Sequence, residues 1–189
     1  AGTVLTTGSY NILIGGLAGD ALIGGAENIA IGFAAVSSED GHGKNIGIGS
    51  NALEDLNAGV DAYNIAIGHD AGRNVSTGVR NVLIGGLAGD ALTTGAENVA
   101  IGYAALSTED GDGRNVAIGY NTLSAQNAGA DAYNIAIGYK AGEAVSTGVK
   151  NTLMGGQAGD ALTIGNYNTA LGFDALSASV DGDYNTAIG

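Results

Sequence analysis

An all-β chain wound as a parallel β-solenoid of about eleven coils is expected from this sequence on three grounds. The pattern of Asn, three mostly apolar residues and Gly occurs eleven times, opening at Asn11, Asn28, Asn45, Asn64, Asn81, Asn98, Asn115, Asn134, Asn151, Asn168 and Asn185. The steps run 17, 17, 19 and 17 residues and then begin again, so four units form a 70-residue super-repeat. Asn11–Arg80 laid on Asn81–Lys150 agrees at about two-thirds of positions, a self-similarity that outranks any local motif. Finally, a period near 17 is too short for two-helix repeats, and 35 glycines would each cost roughly 1 kcal/mol against Ala in a helix. The whole chain, 1–189, reads as one continuous rod: a partial coil over 1–10, super-repeats over 11–80 and 81–150, and a partial one over 151–189. At strand spacing its length is roughly 50 Å.

Each unit opens with Asn, whose side chain can hydrogen-bond up and down a stack, so all eleven asparagines are expected to form a structural ladder. A short strand follows. Its last residue, fourth in the unit, is Ile in nine units, with Met154 and Leu171 the exceptions. That constancy predicts an inward side chain, joined by Ile65, Val82 or Thr169 two residues earlier on the same face. The intervening Ala or Leu is then expected outside, where its small size would admit another surface. Gly closes every strand, as a corner needs where φ is positive or where coils approach closely.

In the second half of each full coil, Ala stands eighth, with Thr122 the exception, and the ninth residue is either large and aliphatic or Gly. Where it is aliphatic (Val36, Leu53, Leu106, Leu123, Leu176) the core is filled there. Where it is Gly, an aliphatic residue comes three positions later, at Leu22, Val75, Leu92, Val145 and Leu162. One large side chain per coil, supplied from either of two places, is a packing rule, since interiors lose stability through voids and overfilling alike.

Composition narrows the function classes. A net charge of −13 with only six Lys and Arg excludes a phosphate-backbone partner, which requires clustered cations. No apolar run reaches the 18 or so residues that span a bilayer, so membrane insertion is not expected. The absence of cysteine removes disulfides and thiolate metal sites. Gly-Gly-Leu-Ala-Gly-Asp at 15–20 and 85–90 lacks the Lys-Ser/Thr ending of a phosphate loop and opens no helix. His42 and His69 stand at different phases of the repeat, and no paired carboxylates mark a groove, so the chain is not expected to be an enzyme. Regular Thr-x-Thr rows of an ice-binding solenoid are also missing.

Two features could carry binding. The wider turns Ser38-Glu-Asp-Gly-His-Gly43 and Thr108-Glu-Asp-Gly-Asp-Gly113, with Val180-Asp-Gly-Asp183, place Glu39, Asp40, Glu109, Asp110, Asp112, Asp181 and Asp183 on Gly-rich corners. Such oxygens either hold Ca²⁺ or are solvated turns that keep the rod soluble. Aromatics recur after the corner Gly (Phe33, Tyr103, Tyr120, Tyr139, Phe173) and before the Asn (Tyr10, Tyr63, Tyr133, Tyr167, Tyr184). They suit contact with a cell-surface glycan or with another subunit.

The stretches Asn168-Thr-Ala-Leu-Gly-Phe-Asp-Ala-Leu176 and Asn115-Val-Ala-Ile-Gly-Tyr-Asn-Thr-Leu123 resemble the Asn-Thr-Ala-Ile-Gly-Tyr-x-Ala-Leu repeats of phage tail fibres and bacterial surface fibres. Asn134-Ile-Ala-Ile-Gly-Tyr-Lys-Ala-Gly142 is similar to repeats in the head of YadA-type trimeric autotransporter adhesins. The resemblance implies a left-handed β-roll, chains side by side as a homotrimer, and a place on the cell surface or virion. The expected function is therefore a non-catalytic rod of an extracellular or virion-attached fibre that supports adhesion by rigid, repeated surfaces. The phase of the two termini, Ala1 to Gly189, leaves open a filament of copies stacked head to tail. A calcium-dependent, glycan-binding adhesin segment is the other alternative.

Overall fold

The computed structural model describes residues 1–111 and 113–189. Eleven three-residue strands follow one another without a helix among the described residues: β1 (Ile12–Ile14), β2 (Ile29–Ile31), β3 (Ile46–Ile48), β4 (Ile65–Ile67), β5 (Val82–Ile84), β6 (Val99–Ile101), β7 (Val116–Ile118), β8 (Ile135–Ile137), β9 (Thr152–Met154), β10 (Thr169–Leu171) and β11 (Thr186–Ile188). All eleven lie in one parallel sheet in chain order, each paired with the strand one coil away. The fold is the expected all-β parallel solenoid. Ile29 stands over Ile12 and Ile46, and Val116 over Val99 and Ile135. Pairing holds across the 19-residue steps as well, Ile46 with Ile65 for example. The additional residues bulge outward instead, at tips where Gly59 and Gly129 adopt φ of 68° and 70° with open space around them.

Hydrogen bonding between coils continues beyond the strands. Gly19, Val36 and Leu53 each donate to a carbonyl of the coil that follows, Ala35, Ala52 and Ala71, at 2.9, 2.9 and 3.1 Å. To close so small a circuit the backbone turns left-handed at the residue before Asn, at the corner Gly, and two and four residues after that Gly. In one coil these are Tyr63, Gly68, Asp70 and Gly72, with φ of 54°, 141°, 55° and 57°. At the corner only Gly fits, because a Cβ on Gly68 would lie 2.5 Å from the Gly85 carbonyl oxygen. Elsewhere the stack imposes αL geometry on side chains that disfavour it, down to the β-branched Val36 at φ 48°.

The strand faces are opposite to those expected. The middle residue points inward: Ala30, Ala66, Leu83, Ala100, Ala117, Ala136, Leu153 and Ala170 are buried, whereas the Ile, Val, Thr and Met residues on either side of them are half-buried or exposed. The reason is the width of the coil. Leu22, Val36, Leu53, Val75, Leu92, Leu106, Leu123, Val145 and Leu162 fill the interior from the far wall, each fully buried, and leave room opposite for little more than a methyl group. Leu appears at the middle position only where the far wall yields. A Cβ on Gly72 or on Gly89 would lie 2.6 or 2.7 Å from a methyl carbon of Leu83. Conversely, Gly47 is the middle residue where a Cβ would lie 2.7 Å from Cγ2 of Val36.

Candidate functional site

The inverted faces create the largest feature of the molecule. The first and third residues of the strands form two columns of mostly Ile and Val on the outside of the rod, ending in Thr152, Thr169 and Thr186 on one column and Met154, Leu171 and Ile188 on the other. No strand carries a charge. Neighbours along each column cover part of each side chain, yet Ile67, Ile135 and Met154 remain 37, 39 and 38% exposed in the middle of the sheet. The described residues enclose no pocket, and no helix among them is long and apolar enough to cross a membrane.

Beside this face runs the asparagine ladder, which joins side chain to main chain. From Asn28 to Asn185 the backbone N–H of each Asn donates to Oδ1 of the Asn one coil earlier, at 2.8 to 3.1 Å. In most rungs the amide Nδ2 then donates to a main-chain carbonyl, as Asn64 does to Gly78 and Asn81 to Gly95 at 2.8 Å, whereas Nδ2 of Asn115 is buried without a partner among the described residues. Direct amide-to-amide bonds join Asn168 to Asn151 and Asn185 to Asn168. The ladder is buried from Asn28 to Asn168.

The residue before each Asn forms an exposed row of cations, anions and tyrosines that the sequence reading caught only for its aromatics. Lys44 Nζ lies 2.6 Å from Asp61 and 3.2 Å from the Tyr63 hydroxyl, and these two contacts, in that order, raise its pKa. Glu97 sits between Arg80 and Arg114, whose hydrogen bonds hold its carboxyl below the usual range. Arg114 also pairs with Asp131. Lys150 donates to the Tyr167 hydroxyl at 2.9 Å, and Tyr167 stacks on Tyr184. With Arg73 on Glu54 and Lys140 on Glu143, every Lys and Arg has a partner. The missed signal was that Lys44, Arg80, Arg114 and Lys150 share one phase of the repeat with Tyr63 and Tyr167.

Of the aromatics after the corner Gly, Tyr103, Tyr120 and Tyr139 stack with ring centroids 5.6 and 5.5 Å apart. Phe33 and Phe173 lie across Gly16 and Gly156 of the preceding coil, where a Cβ would come within 3.4 and 3.2 Å of the ring. The inner ring faces of the tyrosine stack are thus turned toward one another, and all three side chains remain exposed.

The corner acids are split by the fold. Glu39 and Glu109 stand twelfth in their coils, where Leu22, Leu56 and Leu92 stand in others, and they are fully buried instead of solvated. Asp40 and Asp110 are exposed. Burial pushes the Glu39 carboxyl up, against the opposing pull of the His42 and Ala58 backbone N–H groups. Asp112 lies outside the described residues. Asp183 Oδ1 accepts from the backbone and side chain of Asn166, a structural role, and Asp181 is exposed. Among the described residues the one set of three potential metal ligands is Glu39, Asp40 and His42, the last of these not included among the candidates from sequence. His69 lies elsewhere, on the surface, 3.0 Å from Asp70. No protein-family model matches the chain, and no curated protein or solved structure matches it.

Proposed function

We propose that this chain is a non-catalytic rod segment of an extracellular or virion-attached fibre, and that copies of it lie side by side through the outward aliphatic face of the sheet. The observation that carries this reading is the pair of uncharged columns along eleven strands, both of them Ile or Val throughout β1 to β8. Soluble monomers rarely expose a continuous apolar patch larger than a few hundred Å², and repetition makes the face of one copy complementary to that of another. The resemblance to tail-fibre and adhesin-head repeats supports the same reading. Adhesion by such a rod is multivalent, with identical weak contacts along a stiff axis gaining through effective concentration.

Sedimentation velocity and electron microscopy of the purified chain test the proposal. A compact oligomer of parallel rods, abolished by Ile67→Lys together with Ile101→Lys, is the expected result. A monomer at all accessible concentrations would overturn it. Growth without limit along the rod axis would instead support the head-to-tail filament. The exposed tyrosine stack favours a second reading, an adhesin segment that offers phenolic hydroxyls and ring edges to glycan hydroxyls, tested by glycan binding to wild type and Tyr120→Ala.

A further inference from the structure

The four-residue turn Glu39–His42 holds two buried side-chain donor atoms, Oε2 of Glu39 and Nδ1 of His42, that have no hydrogen-bond partner. Glu39 is fully buried, and its Oε2 has no hydrogen-bond partner. Nδ1 of His42 is likewise buried without one. It stands 3.8 Å from the other carboxyl oxygen of Glu39, Oε1, which is too far for a hydrogen bond. The exposed Asp40 supplies a third donor, and one atom from each residue lies within 4.8 Å of the other two. A buried polar atom left unmatched costs roughly 1–3 kcal/mol, and here two of them converge.

The turn is held in place by the coil before it. The Asp40 carbonyl accepts from the N–H groups of Ile23 and Gly24 at 2.7 and 3.1 Å, and the His42 carbonyl accepts from Asn28 Nδ2 at 3.4 Å. The His42 N–H closes the turn on Glu39 Oε1 at 3.2 Å. Packing alone gives no reason for Glu at this inward position, which Leu22 and Leu56 occupy in the coils on either side.

We propose that Glu39, Asp40 and His42 form a binding site for a divalent transition cation of the zinc type. One imidazole nitrogen with two carboxylate oxygens is a donor set that zinc accepts, three protein ligands leaving a fourth position for water. Calcium would ask for six to eight oxygens, which this turn does not gather. Ligand atoms around tetrahedral zinc lie roughly 3.3 Å apart for bonds of about 2.0–2.1 Å, so the set must contract, and the exposed Asp40 side chain is the one free to move inward. A cation bound here would satisfy both stranded atoms at once and tie a surface turn to the core.

The test is calorimetric titration of the full chain with ZnCl₂, with thermal melting recorded in the presence and absence of the metal. Wild type is expected to bind one Zn²⁺ per chain and to melt at a higher temperature with it. His42→Ala and Glu39→Leu should each weaken binding by about tenfold or more. Glu39→Leu restores the residue type of the neighbouring coils, so without metal it should melt no lower than wild type, which separates loss of the site from loss of the fold. The proposal is overturned if no stoichiometric binding occurs, if both variants bind as wild type does, or if Ca²⁺ binds in preference and His42→Ala leaves that binding unchanged.

Discussion

At the scale of the residue, the ladder and the core make separable predictions. Asn81 Oδ1 accepts from the Asn98 N–H at 2.9 Å, and its Nδ2 donates to the Gly95 carbonyl at 2.8 Å. Asn81→Ala strands both groups in the interior and should lower stability by about 2–5 kcal/mol, read from the urea midpoint. Asn11→Ala, at a half-exposed rung, should cost less. Leu83→Ala leaves a cavity worth about 2–5 kcal/mol, and Gly89→Ala forces a Cβ to within 2.7 Å of a Leu83 methyl carbon. The double variant should be less destabilised than the sum of the two, because truncating Leu83 removes one of the contacts that the new methyl would meet. Asp90 makes a third case. Its Oδ1 is buried without a partner, and burial pushes its carboxyl up. The folded state then binds the proton more readily than the unfolded state, so stability is greatest below the unfolded pKa and falls as pH rises through the folded one. Asp90→Asn lacks that dependence, and its melting temperature should gain on wild type between about pH 3 and pH 6.

The same scale shows what was legible in the sequence. Asn and Gly columns were, because each position admits a single chemistry: an amide that bridges coils, or a backbone with no Cβ. The direction of the strand side chains was not. Constant Ile at the fourth position is what an inward column would show, and equally what an outward column packed upon itself shows. The distinguishing sign is variation in size: Leu13, Ala30, Gly47 and Leu83 change in step with Gly19, Val36 and Gly89 across the core, and only residues in contact do that. Glu39 escaped for a related reason, since its inward phase shows only when it is aligned with Leu22 and Leu56 and not with the acids beside it.

At the scale of the element, strands of three residues have no stability of their own and exist because ten parallel pairings hold them in register. Outward substitutions should therefore spare the fold and alter association alone. Ile67→Lys adds a charge to a side chain already 37% exposed and should leave the melting temperature within about 1–2 °C of wild type, as a surface change does, while the oligomer dissociates. Ala66→Lys, one residue away and fully buried, should prevent folding of the coils around it. Circular dichroism and sedimentation on the two variants separate these outcomes.

At the scale of the whole molecule, charge and apolar surface work against each other. The net charge is −13 and every cation is already paired, so copies that approach side by side repel through the solvent. Screening shortens that repulsion to about 8–10 Å at physiological salt and leaves burial of the aliphatic columns intact. Association should strengthen as NaCl is raised from about 20 to 300 mM, the reverse of an interface held by ion pairs, as sedimentation equilibrium would measure.

Nearly identical coils expose a chain to an error of counting, in which one coil is looped out and its neighbours stack directly. The fit of Leu83 against Gly72 acts as a check on that error. Omitting the coil that starts at Asn64 would set Leu83 against Leu53, which fills the place that Gly72 leaves open. Omitting the coil that starts at Asn81 would set Ala100 against Gly72 and leave a void. Either mistake is felt at once in the interior, and the loss of all four coils, 70 residues together, sets like coils against like again. Around the coils that open at Asn64 and Asn81, the alternation of Leu and Gly across the core is thus an error-detecting code written in side-chain volume.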